Sequence, residues 1–193
     1  MIPVEPMLEH RLIYPTSKEA GRVICEPLPE DTTTEADAFL WEWLEWLTNS
    51  TDNCLGLAAN QIGFNVNAFH LQMTDEDEPR RFRNPVIVRA SKRKRIFKDE
   101  GCMSFPGQYV DTERHEWVEV KDDINGTQVY KGLLGICVQH EIDHLNGTLH
   151  FDRKAHSTYI SKGNKIGRND PCPYCLELGR EVKYKKCKDH FNA

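Results

Sequence analysis

Nothing in these 193 residues approaches the ~18 uninterrupted apolar residues that a membrane-spanning helix needs. Nor does the start, Met1 to Pro6, show the basic and then apolar run of a secretory leader. Internal repeats and low-complexity tracts are missing too. These absences argue against a membrane partner, a solenoid or a disordered tether, and a cytoplasmic, reducing setting is the expectation. A complete disulfide framework is also excluded. The seven cysteines (Cys25, Cys54, Cys102, Cys137, Cys172, Cys175 and Cys187) are odd in number, and in a reducing compartment they read as metal ligands, reactive thiols or small core residues.

What is present suits a globular chain: 39% hydrophobic and 28% charged residues, enough for one domain and a small appended module. The net charge of -5 is unevenly spread. Residues 153–193 carry ten Lys/Arg against four Asp/Glu, and residues 1–152 carry fifteen against twenty-six, so a +6 tail follows a -11 body. Such a shift marks separable parts: a main domain over 1–152, a linker over 153–166 and a terminal module over 167–193.

Residues 31–34, with Asp37 three positions after Thr34, have the form of a helix start. Phe39, Leu40, Trp43, Leu44 and Leu47 then recur at helical spacing, with Trp46 near the same face and Trp41 off it. A strand is expected through Val66–Met73, then an acidic loop at 74–80. Short strands at Pro85–Val88 and Ile96–Lys98 flank the basic run Lys92 to Arg95, read as a solvated hairpin. Trp117–Lys121 and Gln128–Lys131 bracket Asn125 and Gly126, a hairpin signal. A second helix fits Leu133–Leu145, closed by Asn146 and Gly147. The order predicts an α+β fold: a mostly antiparallel sheet packed on a central metal-binding helix, with a small C-terminal zinc knuckle.

The segment Gln139–His144 carries the most chemistry. His140 and His144, four residues apart on a helix, project from one face and can reach one cation. Glu141 is rotated away from that axis yet close enough to accept a proton from a water that the cation acidifies. A third ligand is needed, and two candidates stand open. His150 completes a His-Glu-x-x-His-x-x-Gly-x-x-His pattern with Gly147, the form of a zinc endoprotease. That reading lacks the methionine turn such proteases place after the third histidine, since Met1, Met7, Met73 and Met103 all lie upstream. The other candidate is Cys102.

Three segments in this order, Gly56–Gln61, Glu100–Ser104 and Gln139–His144, resemble the three signature motifs of peptide deformylases. The resemblance covers roughly residues 10–152. It implies Cys102, His140 and His144 as ligands of one catalytic divalent metal, Fe(II) first, with Zn(II) or Ni(II) as substitutes. It implies Glu141 as general base, and the Gln61 amide with the Met103 main-chain N–H as donors to the oxyanion. The implied reaction is hydrolysis of the N-formyl group from the formyl-methionine of nascent polypeptides, with release of formate, by an expected monomer. Gly56 would present its backbone to the substrate. Leu55, Leu133, Ile136 and Cys137 would line a slot for the methionine side chain. Two departures stand out: Cys54 occupies a usual glycine position, and the family's long C-terminal helix is absent after Phe151.

In its place come Cys172, Cys175, Cys187 and His190, spaced as a closed Cys3His zinc site. Their surroundings resemble the SEC-C zinc motif, although here two residues rather than one separate the first two cysteines. A structural zinc is expected there. The basic charge makes a ribosome or nucleic-acid contact a possible task for this tail.

Overall fold

The computed structural model describes residues 22–28, 34–74 and 78–155. The expected linker from 156 onward and the zinc module, with Cys172, Cys175, Cys187 and His190, lie outside the described residues, as do the first residues of the expected helix start. Helix α1 spans Thr34–Ser50. Eight strands follow: β1 (Gly56–Ala58), β2 (Ala68–Leu71), β3 (Arg80–Arg83), β4 (Val86–Ala90), β5 (Lys94–Glu100), β6 (Val110–His115), β7 (Trp117–Asp122) and β8 (Gly126–Lys131). Helix α2 spans Gly132–Leu145, and 3-10 turns cover Ala59–Ile62 and His150–Arg153. Among the described residues every ladder is antiparallel, in three small sheets of order β1-β2-β3, β4-β7-β8 and β5-β6.

The middle strand β2 is buried on both faces, which explains why its sequence does not alternate in polarity. Phe69 and Leu71 join Phe82, Val118, Val120, Tyr130, Val138 and Ile142 in one core cluster, which includes the apolar side of α2. Phe69 and Phe82 stack at 4.2 Å, and Tyr130 meets Phe82 edge-on at 5.4 Å, contacts worth ~0.5–1.5 kcal/mol each beyond their burial. Ala68 on the other face belongs to a second cluster, in which Leu40, Trp41, Trp43, Leu44 and Leu47 of α1 cover β1 and β2. Helix α2 therefore runs against the sheets and carries a run of buried polar residues, Gln139, Glu141, Asp143 and His144, alongside its apolar ones.

Three expectations need correction. Trp41 is buried and Trp46 is 53% exposed, the reverse of the predicted stripe. The sheet covers a wider arc of α1 than one stripe, and Arg81 caps the Trp41 ring at 5.8 Å, while Trp46 only stacks on Trp43 at the rim. The run Lys92 to Arg95 does not close a β4–β5 hairpin: β4 pairs with β7 and β5 with β6, so the chain crosses between sheets there. Strands β1, β3 and β6 were not anticipated at all. The β7–β8 hairpin is present, with Gly126 at φ +68.

Candidate metal centre

Helix α2 begins directly where β8 ends. Gly132 at φ +63 makes that junction, and Gly135 lies so close to Tyr130 that an added Cβ would stand 2.9 Å from its carbonyl oxygen. This anchoring sets the helix register and turns His140 and His144 toward Cys102, which follows β5. The sulfur of Cys102 and one ring nitrogen from each histidine all lie within 4.8 Å of one another. Cys102 Sγ is 3.1 Å from His144 Nε2, and the two Nε2 atoms are 3.1 Å apart. His150 stays outside this group. Its Nε2 donates to the Gln108 carbonyl at 3.2 Å, and its ring centroid is 6.0 Å from that of His140. The geometry thus assembles Cys102 rather than His150 with the helical pair.

The surroundings of His140 direct its lone pair inward. His140 Nδ1 donates to Glu100 Oε1 at 2.7 Å, which leaves Nε2 free to face the group. Burial opposes charge on His140, but the neighbouring Cys102 and Glu100 outweigh it and raise its pKa well above the ordinary value. His144 moves the other way, through burial and then the charge of His140. Two imidazoles and a thiolate form a borderline-soft set that suits Fe(II), Zn(II) or Ni(II) and not Mg(II) or Ca(II). The residues fit a divalent transition metal.

Glu141 lies beside this group, fully enclosed, with its pKa pushed up to about 7 by burial against the opposing effect of His140. Its Oε2 has no hydrogen-bond partner among the described residues. Gly56 explains part of that placement: a Cβ there would fall 2.9 Å from Glu141 Oε1 and 2.3 Å from the Leu71 side chain. Gln61 is oriented at both ends of its amide. Its Oε1 accepts from Ala58 N–H at 2.9 Å, and its Nε2 donates to Ser104 Oγ at 3.1 Å with Cys102 Sγ 3.7 Å away. A cavity of about 320 Å³ opens over the site, and Gln61, Met103, Leu55, Gly56, Leu133, Ile136 and Cys137 all line it, together with Cys102, His140 and Glu141.

Cys54 meets no backbone strain. The left-handed residue is its neighbour Asn53, at φ 59, a type that tolerates that region. The Cys54 thiol is pushed up to about 12 by burial and then by Glu141, so it stays protonated and donates to the Gly56 carbonyl at 3.3 Å.

Sequence reasoning passed over the support of the site. Arg114, 2% exposed, donates to Glu100 and, at 2.5 Å, to Asp143 Oδ2. No local pattern marks it, because it reaches the site from β6. Phe97 and Tyr109 on the cavity wall were likewise missed.

The family model for polypeptide deformylases matches residues 11–159. The chain belongs to the polypeptide deformylase family. It is a hydrolase of the family that removes the N-formyl group from nascent polypeptides. The peptide deformylase of Psychrobacter arcticus is 34% identical over 174 residues, 86% of this chain and 89% of that one. The crystal structure of a peptide deformylase from Legionella pneumophila superposes with a TM-score of 0.67 at 31% identity, covering 79% of this chain and 89% of the other. That of the enzyme from Synechococcus elongatus in complex with actinonin gives 0.66 at 30% identity, covering 91% and 88%. The family spans the part of the chain that holds all three sequence motifs.

Proposed function

We propose that the family's reaction runs in this chain on a divalent cation held by Cys102, His140 and His144, Fe(II) first, with Zn(II) or Ni(II) as substitutes. The observation that carries this reading is the convergence of one sulfur and two ring nitrogens within 4.8 Å, beside a buried carboxylate and under an open cavity. When bound, such a cation acts as a Lewis acid toward the formyl carbonyl and acidifies water. Glu141 takes the proton of the attacking water and passes it to the methionine nitrogen as the C–N bond breaks, so that formate and a free amine leave. The Gln61 amide, fixed by Ala58 and Ser104, and the main-chain N–H of Met103 donate to the oxygen on which negative charge builds. Gly56 lets the peptide backbone approach. Leu55, Leu133, Ile136 and Cys137 receive the apolar methionine side chain.

In this reading the C-terminal Cys172, Cys175, Cys187 and His190 bind a structural zinc. The enzyme is a cytoplasmic monomer that meets formyl-methionyl nascent chains at the ribosome, with the basic tail as the contact.

The test uses a formyl-methionyl tripeptide. Cys102→Ala abolishes metal-dependent hydrolysis, while His150→Gln, which keeps a donor toward Gln108, retains most of it. Glu141→Ala keeps the metal and loses roughly 10³-fold or more in kcat. Full activity of Cys102→Ala, with loss in His150→Gln, would overturn the ligand assignment and return the endoprotease pattern.

A further inference from the structure

Beyond the ligands runs a buried chain of alternating charges. Glu100 holds His140 Nδ1 at 2.7 Å. Arg114 holds Glu100 through both Nε, at 2.9 Å, and Nη2, and it reaches Asp143 Oδ2 at 2.5 Å through Nη1. Arg153 then closes the series with a fork onto Asp143: Nη2 to Oδ1 at 2.5 Å and Nε to Oδ2 at 2.9 Å. Glu100 and Arg114 are almost fully enclosed, and Arg153 is 44% exposed at the outer end. Two carboxylates and two guanidiniums balance in charge. If Arg153 is removed, one enclosed carboxylate is left in excess beside Arg114, which is then drawn from Glu100 toward Asp143.

We propose that Arg153, in the 3-10 turn after the catalytic helix, is a positioning residue for the metal site: through Asp143, Arg114 and Glu100 it holds the His140 ring in its ligating orientation. The inference rests on the reading of Cys102, His140 and His144 as metal ligands. It adds a residue nine positions beyond the last motif, whose fork onto Asp143 stops short of the three donors. Outer hydrogen-bond partners of ligating histidines commonly change metal affinity ~10–100-fold when removed. As the fourth partner along from the ring, Arg153 belongs at the lower end of that range.

A neighbouring residue separates positioning from simple anchoring. Arg22 also pins this turn, donating to both Asp152 carboxylate oxygens at 2.5 and 2.7 Å and to the Gly147 carbonyl at 3.3 Å, and none of these bonds goes to Asp143. If the turn merely needed fastening, loss of either arginine would act alike.

The experiment titrates the full-length apo protein with Co(II) against a chromophoric chelator, with the Cys102→Ala chain as blank so that binding elsewhere is subtracted. Arg153→Ala is expected to weaken the Cys102-dependent site ~10-fold. Arg153→Lys, which keeps the charge but not the fork, recovers part of the loss, and Arg22→Ala leaves the affinity within about 2-fold of the parent. Affinity unchanged in Arg153→Ala, or lowered equally in Arg22→Ala, overturns the positioning role while leaving the ligands intact. A parent chain that binds no more Co(II) than the Cys102→Ala blank overturns the ligand reading itself, and this proposal with it.

Discussion

Two buried histidines outside the proposed ligand set show how much a single side chain depends on its neighbours. His70 in β2 is completely buried, on the face turned toward α1. Thr48 Oγ1 donates to the Leu44 carbonyl at 2.7 Å, so its oxygen accepts from His70 Nδ1–H at 3.2 Å. That assignment leaves His70 Nε2 as a bare lone pair, with no partner among the described residues. Burial lowers the pKa of His70 from 6.5 to about 4, and burial does the same to His150. Between those values the unfolded chain binds more protons than the folded one, so stability rises with pH and is lost as pH falls from 6.5 toward 4. His70→Gln retains a donor for Thr48 but does not titrate. In urea unfolding, the parent should lose about 2 kcal/mol more than this variant between pH 7 and pH 5. Parallel losses would show that His70 is not a source of the acid sensitivity.

At the scale of elements, the helix that carries the site is joined to the strands by polar substitution. Gln139 imitates a strand partner for His115 at the end of β6: its Oε1 accepts from His115 N–H at 2.9 Å and its Nε2 donates to the His115 carbonyl at 3.1 Å. The same Nε2 lies 2.9 Å from the Gly135 carbonyl, one turn earlier in α2. Helix and strand are therefore locked in register one residue before His140 and one after Arg114. Gln139→Ala leaves two half-buried main-chain groups unpaired and should cost roughly 2 kcal/mol in chemical denaturation. A value within roughly 0.5 kcal/mol of the parent, the range of an inert surface change, would mean that this link is dispensable.

Across the whole molecule, the family match ends at residue 159, before the stretch with Cys172, Cys175, Cys187 and His190. The +6 charge of residues 153–193 also contrasts with the -11 of the body. A phosphate-rich surface attracts such a tail in a salt-dependent way. A chain ending at residue 160 should therefore hydrolyse a short formylated peptide at close to the parent rate, yet lose co-sedimentation with ribosomes at low salt. Loss of activity on the short peptide would assign the tail a structural task. Failure of the full-length chain to co-sediment would remove the docking idea.

The sequence by itself determined whatever depends on near neighbours along the chain. The spacing of His140 and His144, the helix expected over Leu133–Leu145 and the turn at Asn125 and Gly126 follow from bond geometry and the 3.6-residue period. Three ordered motifs sufficed to name the family. Only the tertiary structure brought Cys102 rather than His150 beside the helical pair, because residues 42 and 6 positions from His144 cannot be ranked until the strands are packed. It also decided that Trp41 rather than Trp46 enters the core, since burial depends on how wide a surface the opposing sheet offers. The charge chain of Glu100, Arg114, Asp143 and Arg153 draws on four separate elements. No periodicity records it, because the force that selects those residues is the cost of leaving each buried charge without its opposite.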